Sequence, residues 1–259
     1  MYRHTIYNII LLLTLAITAT AAPTPQTIDA DAVKKQADSA YTARRYSQAR
    51  DKYLQLVRHG KSLSVYYNLA CSYYRLEDYP NSVLWFERAS RLDPSDDDVR
   101  HNLDMARSKT IDRIVPRHRI FFVSAWNSLT HFTTITRWAQ AAISLFAIAL
   151  LMAALYLFGP DIRLRKAGFF TSISATLLCI LCNLCAYSQR YDNNHHSAGI
   201  LMSPSVTVKS TPEKTGKSLF VLHHGTRVEI QDDSMKDWVE ITIADGKTGW
   251  IPRNTYQEI

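Results

Sequence analysis

The stretch Tyr66-Tyr67-Asn68-Leu69-Ala70-Cys71-Ser72-Tyr73-Tyr74, followed by Asp78-Tyr79, Ser82, Phe86, Ala89 and Leu92-Asp93-Pro94, decides the fold of the first third of this 259-residue chain. Its small residues, Ala70, Ser82 and Ala89, let two antiparallel helices approach closely, while Leu69, Tyr73, Tyr79 and Phe86 fill the space beside them. Pro94 ends the second helix, since its ring cannot continue one. A weaker copy lies 33 residues upstream, where Ala37, Tyr46, Ala49 and Tyr53 stand in the places of Ala70, Tyr79, Ser82 and Phe86. A fixed period of this length marks stacked helical hairpins. After Pro94, Ser95 is expected to cap another helix. Its first turn, Asp96-Asp97-Asp98, suits the positive end of the helix dipole, and Leu103 and Ala106 make it a cap or a degenerate third repeat.

The pattern closely resembles a tetratricopeptide repeat, with Tyr66 at the usual Trp position and Leu69-Ala70 at Leu-Gly. Tyr73, Ser82, Phe86, Ala89 and Pro94 occupy the remaining signature positions. Repeats of this family hold extended peptides or partner segments in a groove lined by the first helix of each pair. The resemblance therefore implies a partner-binding groove made of Lys34, Asp38 and Tyr41 from the first copy and Tyr67, Cys71, Tyr74 and Arg75 from the second. The plainer alternative is that these tyrosines only pack and these charges only solvate. Two repeats also lie near the lower limit for a stable solenoid.

Upstream, residues 1–21 combine Arg3, an apolar run from Ile9 to Ile17 and the small-residue end Ala19-Thr20-Ala21, which reads as an export signal cleaved after Ala21, or else as an uncleaved anchor. Residues 22–109 then form the repeat domain. Downstream, Trp138–Phe158 and Ala167–Tyr187 are each long enough to cross a bilayer and contain no ionisable acid or base. Residues 159–166, opened by Gly159-Pro160, leave room only for a tight antiparallel connection. Arg163, Arg165 and Lys166 place that connection in the cytoplasm and both flanking regions outside. Between repeat and membrane, residues 110–137 carry Phe122, Trp126 and Leu129 at helical spacing with Phe121 and Phe132 adjoining, which suggests an interfacial helix or a plain linker.

After a short linker, residues 188–197, the periodicity switches to two from about Ala198: Val206-Thr207-Val208, Leu219–Leu222, Arg227–Ile230 and Trp238–Ile243 read as strands. Asp245-Gly246 signals a tight hairpin, with Gly249-Trp250-Ile251 as the next strand. The order Val206, Val208, Ser210, Pro212, Leu222, Gly225, Trp238, Asp245-Gly246 and Gly249-Trp250-Ile251-Pro252 resembles a bacterial SH3 domain over residues 198–259. Such modules bind peptides or cell-wall material, which would make Trp238 and Trp250 ligand-binding. Both could equally be barrel core.

Other chemistry is sparse. Cys179, Cys182 and Cys185 form a C-x-x-C-x-x-C run inside the second apolar segment, where three-residue steps make a helix stripe suited to packing, with metal or redox work as the alternative. Cys71 is left without an exported partner for a disulfide. The pairs His195-His196 and His223-His224 lack zinc-site spacing and are expected to be solvated. No P-loop, H-E-x-x-H or G-x-S-x-G occurs, so no catalytic site, cofactor or metal is expected. The net charge of +7 does not point to nucleic acid: residues 22–109 carry 14 Lys/Arg against 12 Asp/Glu and residues 188–259 carry 8 against 9, so the excess lies beside the apolar segments.

The expected architecture is thus multi-domain: an all-α tetratricopeptide-type repeat, a transmembrane α-hairpin and an all-β SH3-like barrel. This order resembles the BatE-like group of the Bacteroides aerotolerance (Bat) family. The resemblance implies a membrane complex with von Willebrand A-type proteins and a MoxR-type ATPase, linked to oxygen or stress tolerance in the envelope. On that expectation the chain is a non-enzymatic scaffold at the cytoplasmic membrane. The rival is a wall-sensing or wall-tethering protein whose barrel reads peptidoglycan, and a remote third is a membrane thiol enzyme using the three clustered cysteines.

Overall fold

The computed structural model describes residues 29–115, 121–195 and 197–259. The expected export segment lies outside them.

Two helical hairpins open the described chain: α1 (Ala30–Thr42) with α2 (Tyr46–Val57), and α3 (Leu63–Arg75) with α4 (Tyr79–Leu92). Their turns are the same device used twice. Arg44 and Glu77, 33 residues apart, both adopt the left-handed conformation, at φ 59° and 61°. In each, the next residue closes the helix end by donating back five positions, Arg45 N to Ala40 O at 2.9 Å and Asp78 N to Tyr73 O at 3.0 Å. Asp78 then caps α4 by accepting from Asn81 N. Ala37, Ala49, Ala70 and Ala89 are fully buried at the helix crossings, and Tyr53, Leu69 and Phe86 fill the core around them. A fifth helix, α5 (Asp97–Arg107), packs on α4 through Val99, Leu103 and Ala106. Its cap is Asp96, which accepts from Val99 N at 3.0 Å, and not the expected Ser95, which is turned back to bond Asp93.

A short helix, α6 (Phe121–Thr130), precedes the long pair α7 (Ile135–Phe158) and α8 (Ile162–His195). Both long helices are long and apolar enough to cross a membrane, with mean hydropathy of 2.5 and 1.9 over their most apolar windows. Their mutual face is made of small side chains, Ala142 and Ala149 against Gly168, Ala175, Cys182 and Cys185, while Ile143, Phe146, Leu151 and Leu177 point outward. Gly168 lies so close to α7 that an added Cβ would stand 2.7 Å from Met152 O. The connection is shorter than the expected residues 159–166. Asp161 starts α8 by accepting from Arg163 and Arg165 N, so Arg163, Arg165 and Lys166 form the first turn of the helix. At the other end α8 continues through the expected linker to His195, because no Gly or Pro interrupts residues 186–195.

Seven strands follow in one antiparallel sheet, in the order β3-β2-β6-β5-β4-β1-β7. They are β1 (Ala198–Leu201), β2 (Ser205–Lys209), β3 (Ser218–His223), β4 (Arg227–Asp232), β5 (Trp238–Thr242), β6 (Thr248–Pro252) and β7 (Tyr256–Glu258). Val206, Val208, Leu222, Val228, Val239, Ile241 and Ile251 form the core on one face. The hairpin between β5 and β6 closes by Gly246 N donating to Ile243 O at 2.8 Å, with only Gly246 left-handed. It is therefore a three-residue loop with a glycine bulge and not a two-residue turn.

The barrel does not stand apart from the repeats. Ile200 of β1 is fully buried in the repeat core, with Met202 and Ile259 packed against it. Arg88 and Arg91 of α4 donate to the carbonyls of Glu258 and Ile259. Glu87, only 7% exposed, pairs with Arg107 at 2.6 Å and with Arg227 of β4 at 3.7 Å. Beyond α5 the chain straps across the barrel: Ile114 joins the barrel core, and Asp112 accepts from His223 N and Thr226 Oγ1, both at 2.6 Å, and meets His223 Nδ1 at 2.7 Å. Gly225, at φ 83°, is required here, since a Cβ would lie 2.5 Å from Thr110 Cγ2.

Candidate functional site

The seven expected groove residues come together on α1 and α3, in two unlike groups. Around Asp38 the contacts are internal: Lys34 Nζ donates to Oδ2 at 2.9 Å, and Tyr53 Oη and Asn68 Nδ2 donate to Oδ1 at 2.6 and 3.5 Å. Burial pushes this carboxyl up, but the Lys34, Tyr53 and Asn68 bonds outweigh it and leave the group below the usual carboxylate range. Asp38 is thus a strut joining α1, α2 and α3, and Lys34 supports it.

The second group is the more available surface. Tyr41, Tyr67, Cys71 and Tyr74 are half-buried against the repeat core, and Arg75 is exposed beside the Tyr41 hydroxyl. Edge-to-face contacts fix the rings: Tyr41 on Tyr46 at 5.3 Å, Tyr67 on Phe86 at 5.7 Å and Tyr74 on Tyr79 at 5.6 Å. Asn102 of α5 donates to the Tyr67 hydroxyl at 3.0 Å. Burial pushes the Tyr67 phenol up to about 12 and the Cys71 thiol up to about 11, so both stay protonated at neutral pH. The groove therefore offers rigid aromatic faces, neutral hydrogen-bonding groups and one guanidinium without a carboxylate partner among the described residues. That combination is chemically suited to main-chain carbonyls and acidic side chains. Asn68 and Asn102 are not anticipated here because they lie outside the repeat's signature positions, and Tyr46 is expected only as a packing position of the upstream copy.

On the barrel, cross-strand register puts Trp238 opposite Pro252 and Glu240 opposite Trp250. All four face away from the core, where their neighbours Val239, Ile241 and Ile251 are buried. Neither tryptophan is barrel core. Trp238 lies in a cleft of about 600 Å³ with Lys214, Lys236, Asp237, Pro252, Arg253 and Asn254. Three cations against one carboxylate make this cleft positive. Arg253 is built into its wall, donating to the carbonyls of Asp233 and Met235 while its main-chain N–H bonds Asp237 O. Trp250 sits beside Lys209 and Glu240, outside the cleft lining.

Cys182 and Cys185 are buried between α7 and α8, and the Cys179 Sγ donates to Ala142 O at 3.3 Å, so the cysteine stripe packs two helices together. His223, expected to be solvated, is the residue gripped by Asp112, while His196 lies outside the described residues and His224 is half-buried.

Two family models match the chain. The tetratricopeptide repeat matches residues 64–96, which cover α3, α4 and the following turn. The bacterial SH3 domain matches residues 204–256, from β2 into β7. No curated protein matches the chain. A protein-binding repeat and a wall-associated module on one chain support a scaffold or adaptor role.

Proposed function

We propose that this chain is a non-enzymatic adaptor anchored in the cytoplasmic membrane by α7 and α8, with repeat and barrel held together on the outer, periplasmic side and residues 159–166 facing the cytoplasm. The observation that carries this reading is the packing of the barrel on α4. Residues on either side of the two long helices meet in one buried interface, and a pair of spans that returns the chain to its starting side permits that. The cationic start of α8, with Arg163, Arg165 and Lys166, agrees by the positive-inside bias.

In this reading the groove of Tyr41, Tyr67, Cys71, Tyr74 and Arg75 takes a segment of a partner protein, and the Trp238 cleft takes a peptide or wall ligand. Joining two sites on one rigid support raises the effective concentration of each ligand for the other. The order of modules favours a place in a Bat-type stress or aerotolerance complex, with von Willebrand A-type proteins and a MoxR-type ATPase as partners. Affinity purification of the tagged full chain from native membranes in mild detergent, followed by mass spectrometry, tests it. Recovery of von Willebrand A-type membrane proteins, reduced by Tyr67→Ala with Arg75→Ala, supports the adaptor. Recovery of wall fragments alone transfers the function to the barrel as a tether, a reading that the positive Trp238 cleft favours because peptide stems of the wall bear carboxylates.

A further inference from the structure

We infer that α6 is an interfacial helix, seated in the headgroup layer of the outer leaflet. The inference rests on the membrane reading of α7 and α8 but concerns a different element. Phe121 and Phe122 of α6 are 78% and 79% exposed, Trp126 and Leu129 of the same helix are exposed, and Phe132 in the turn that follows is 75% exposed. Rings this large are seldom left bare in water over a dozen consecutive residues. No acidic residue occurs from Phe121 to Arg137, so nothing on the helix opposes a layer of phosphates.

The position of α6 supplies the occupant. Trp126 Nε1 donates to Ser188 Oγ at 3.3 Å, and Gln189 Nε2 donates to Thr133 O at 3.2 Å, which pins the helix and its exit turn to α8 just past its apolar stretch. Trp138 Nε1 donates to Thr130 O at 3.1 Å, tying the same turn to the start of α7. Tyr187 and Tyr191, in ring contact at 6.3 Å, lie on α8 at this level. Two tryptophans and two tyrosines gathered where the apolar helices end form the aromatic belt expected at a bilayer interface. The bare face of α6 is therefore continuous with the outward apolar surface of α7 and α8, and the solvent that covers one covers the other. Lipid, and not a second copy or a soluble partner, is the occupant that this continuity selects. Arg113, Arg137 and Arg190 flank the segment and favour anionic headgroups.

The test uses the full chain in nanodiscs holding one copy each, with brominated phosphatidylcholine as the quencher of indole fluorescence. Bromines placed near the glycerol backbone should quench a component that Trp126→Phe removes, and bromines at the chain ends should quench that component less. Moving the indole within the helix, by Trp126→Phe together with Phe122→Trp, should restore shallow quenching. If Trp126→Phe leaves the quenched fraction unchanged while Trp138→Phe lowers it, α6 lies outside the lipid and the inference fails although the anchor stands. If neither indole contributes to the quenching, the long helices are not in the bilayer, and both readings fail together.

Discussion

The hairpin α3–α4 and the hairpin α7–α8 are the same motif turned inside out. In the repeat, alanines at the helix crossing are joined by Leu69, Tyr73 and Phe86, so the large apolar side chains are inside. In the long pair the interior holds mostly alanine, glycine and cysteine, and the large apolar side chains are outside. Burial of large side chains stabilises the first against water. It offers the second little, if lipid tails surround it, so close approach of backbones takes over. Side chains that polar solvent would push inward are thus free to face out, and the small residues become the structural ones.

The largest expected break of this contrast is Phe86→Ala, which should cost about 3–5 kcal/mol by opening a cavity in the repeat core. Phe146→Ala, on the outward face of α7, should change stability by no more than about 0.5 kcal/mol. Denaturant melts of the full chain in detergent, followed by far-UV circular dichroism, measure both, and equal effects would erase the distinction. Gly168→Ala comes next, at about 1–3 kcal/mol, because the new Cβ meets backbone atoms that cannot turn aside. Its signature is a lowered melting temperature of the helical pair, with the repeat transition unmoved.

A smaller effect sharpens the comparison at the place where the polar outside of the repeat becomes an inside. Glu87→Ala removes the partner of Arg107 and Arg227 and should weaken docking of the barrel by about 1–2 kcal/mol, less than for a deeply buried pair because both arginines are almost half exposed. Hydrogen exchange of β1 and β7 reads this directly. The smallest effect is one of pH. Burial raises the Asp112 carboxyl, but bonds from Thr226 and His223 prevail and hold it below its ordinary value. Its contribution to docking is therefore complete above the unfolded value near about 4 and fades as pH falls through the lower folded value. Asp112→Asn should flatten the acid loss of β1 and β7 protection. An unchanged acid limb in that variant would assign the loss to other carboxylates.

Much of the fold could be read because each region obeys one local rule. The 33-residue period carries the repeats, the unbroken apolar runs carry α7 and α8, and alternation with turn residues carries five of the seven strands. The two strands not anticipated, β1 and β7, both meet the repeat, as does the start of β4 through Arg227. Ala198-Gly199-Ile200-Leu201 has no alternation because both of its faces are covered, one by the barrel and one by α4, as its uninterrupted burial shows. Arg88 and Arg91, which bond the chain at β7, and Glu87, which pairs with Arg227 of β4, resemble ordinary solvated helix residues until the barrel arrives. The groove was legible as a set of positions. What the residues do there was not: Asp38 serves as a strut because Tyr53 and Asn68 happen to reach it, and no period records that. Likewise Trp238 and Trp250 look alike in sequence and differ only through strand register.

The docking of β7 on α4 joins residues 170 positions apart, as in the bond from Arg88 to Glu258. Synthesis runs from the repeats toward the barrel at about 5–20 residues per second, so α4 is finished on the order of ten seconds before β1 and β7 exist. During that interval the seat for Ile200 is an open apolar patch, flanked by Glu87, Arg88 and Arg91 without their later barrel contacts. Maturation of this chain is therefore a two-stage event, in which a nearly complete repeat waits, adhesive, for its own last strand.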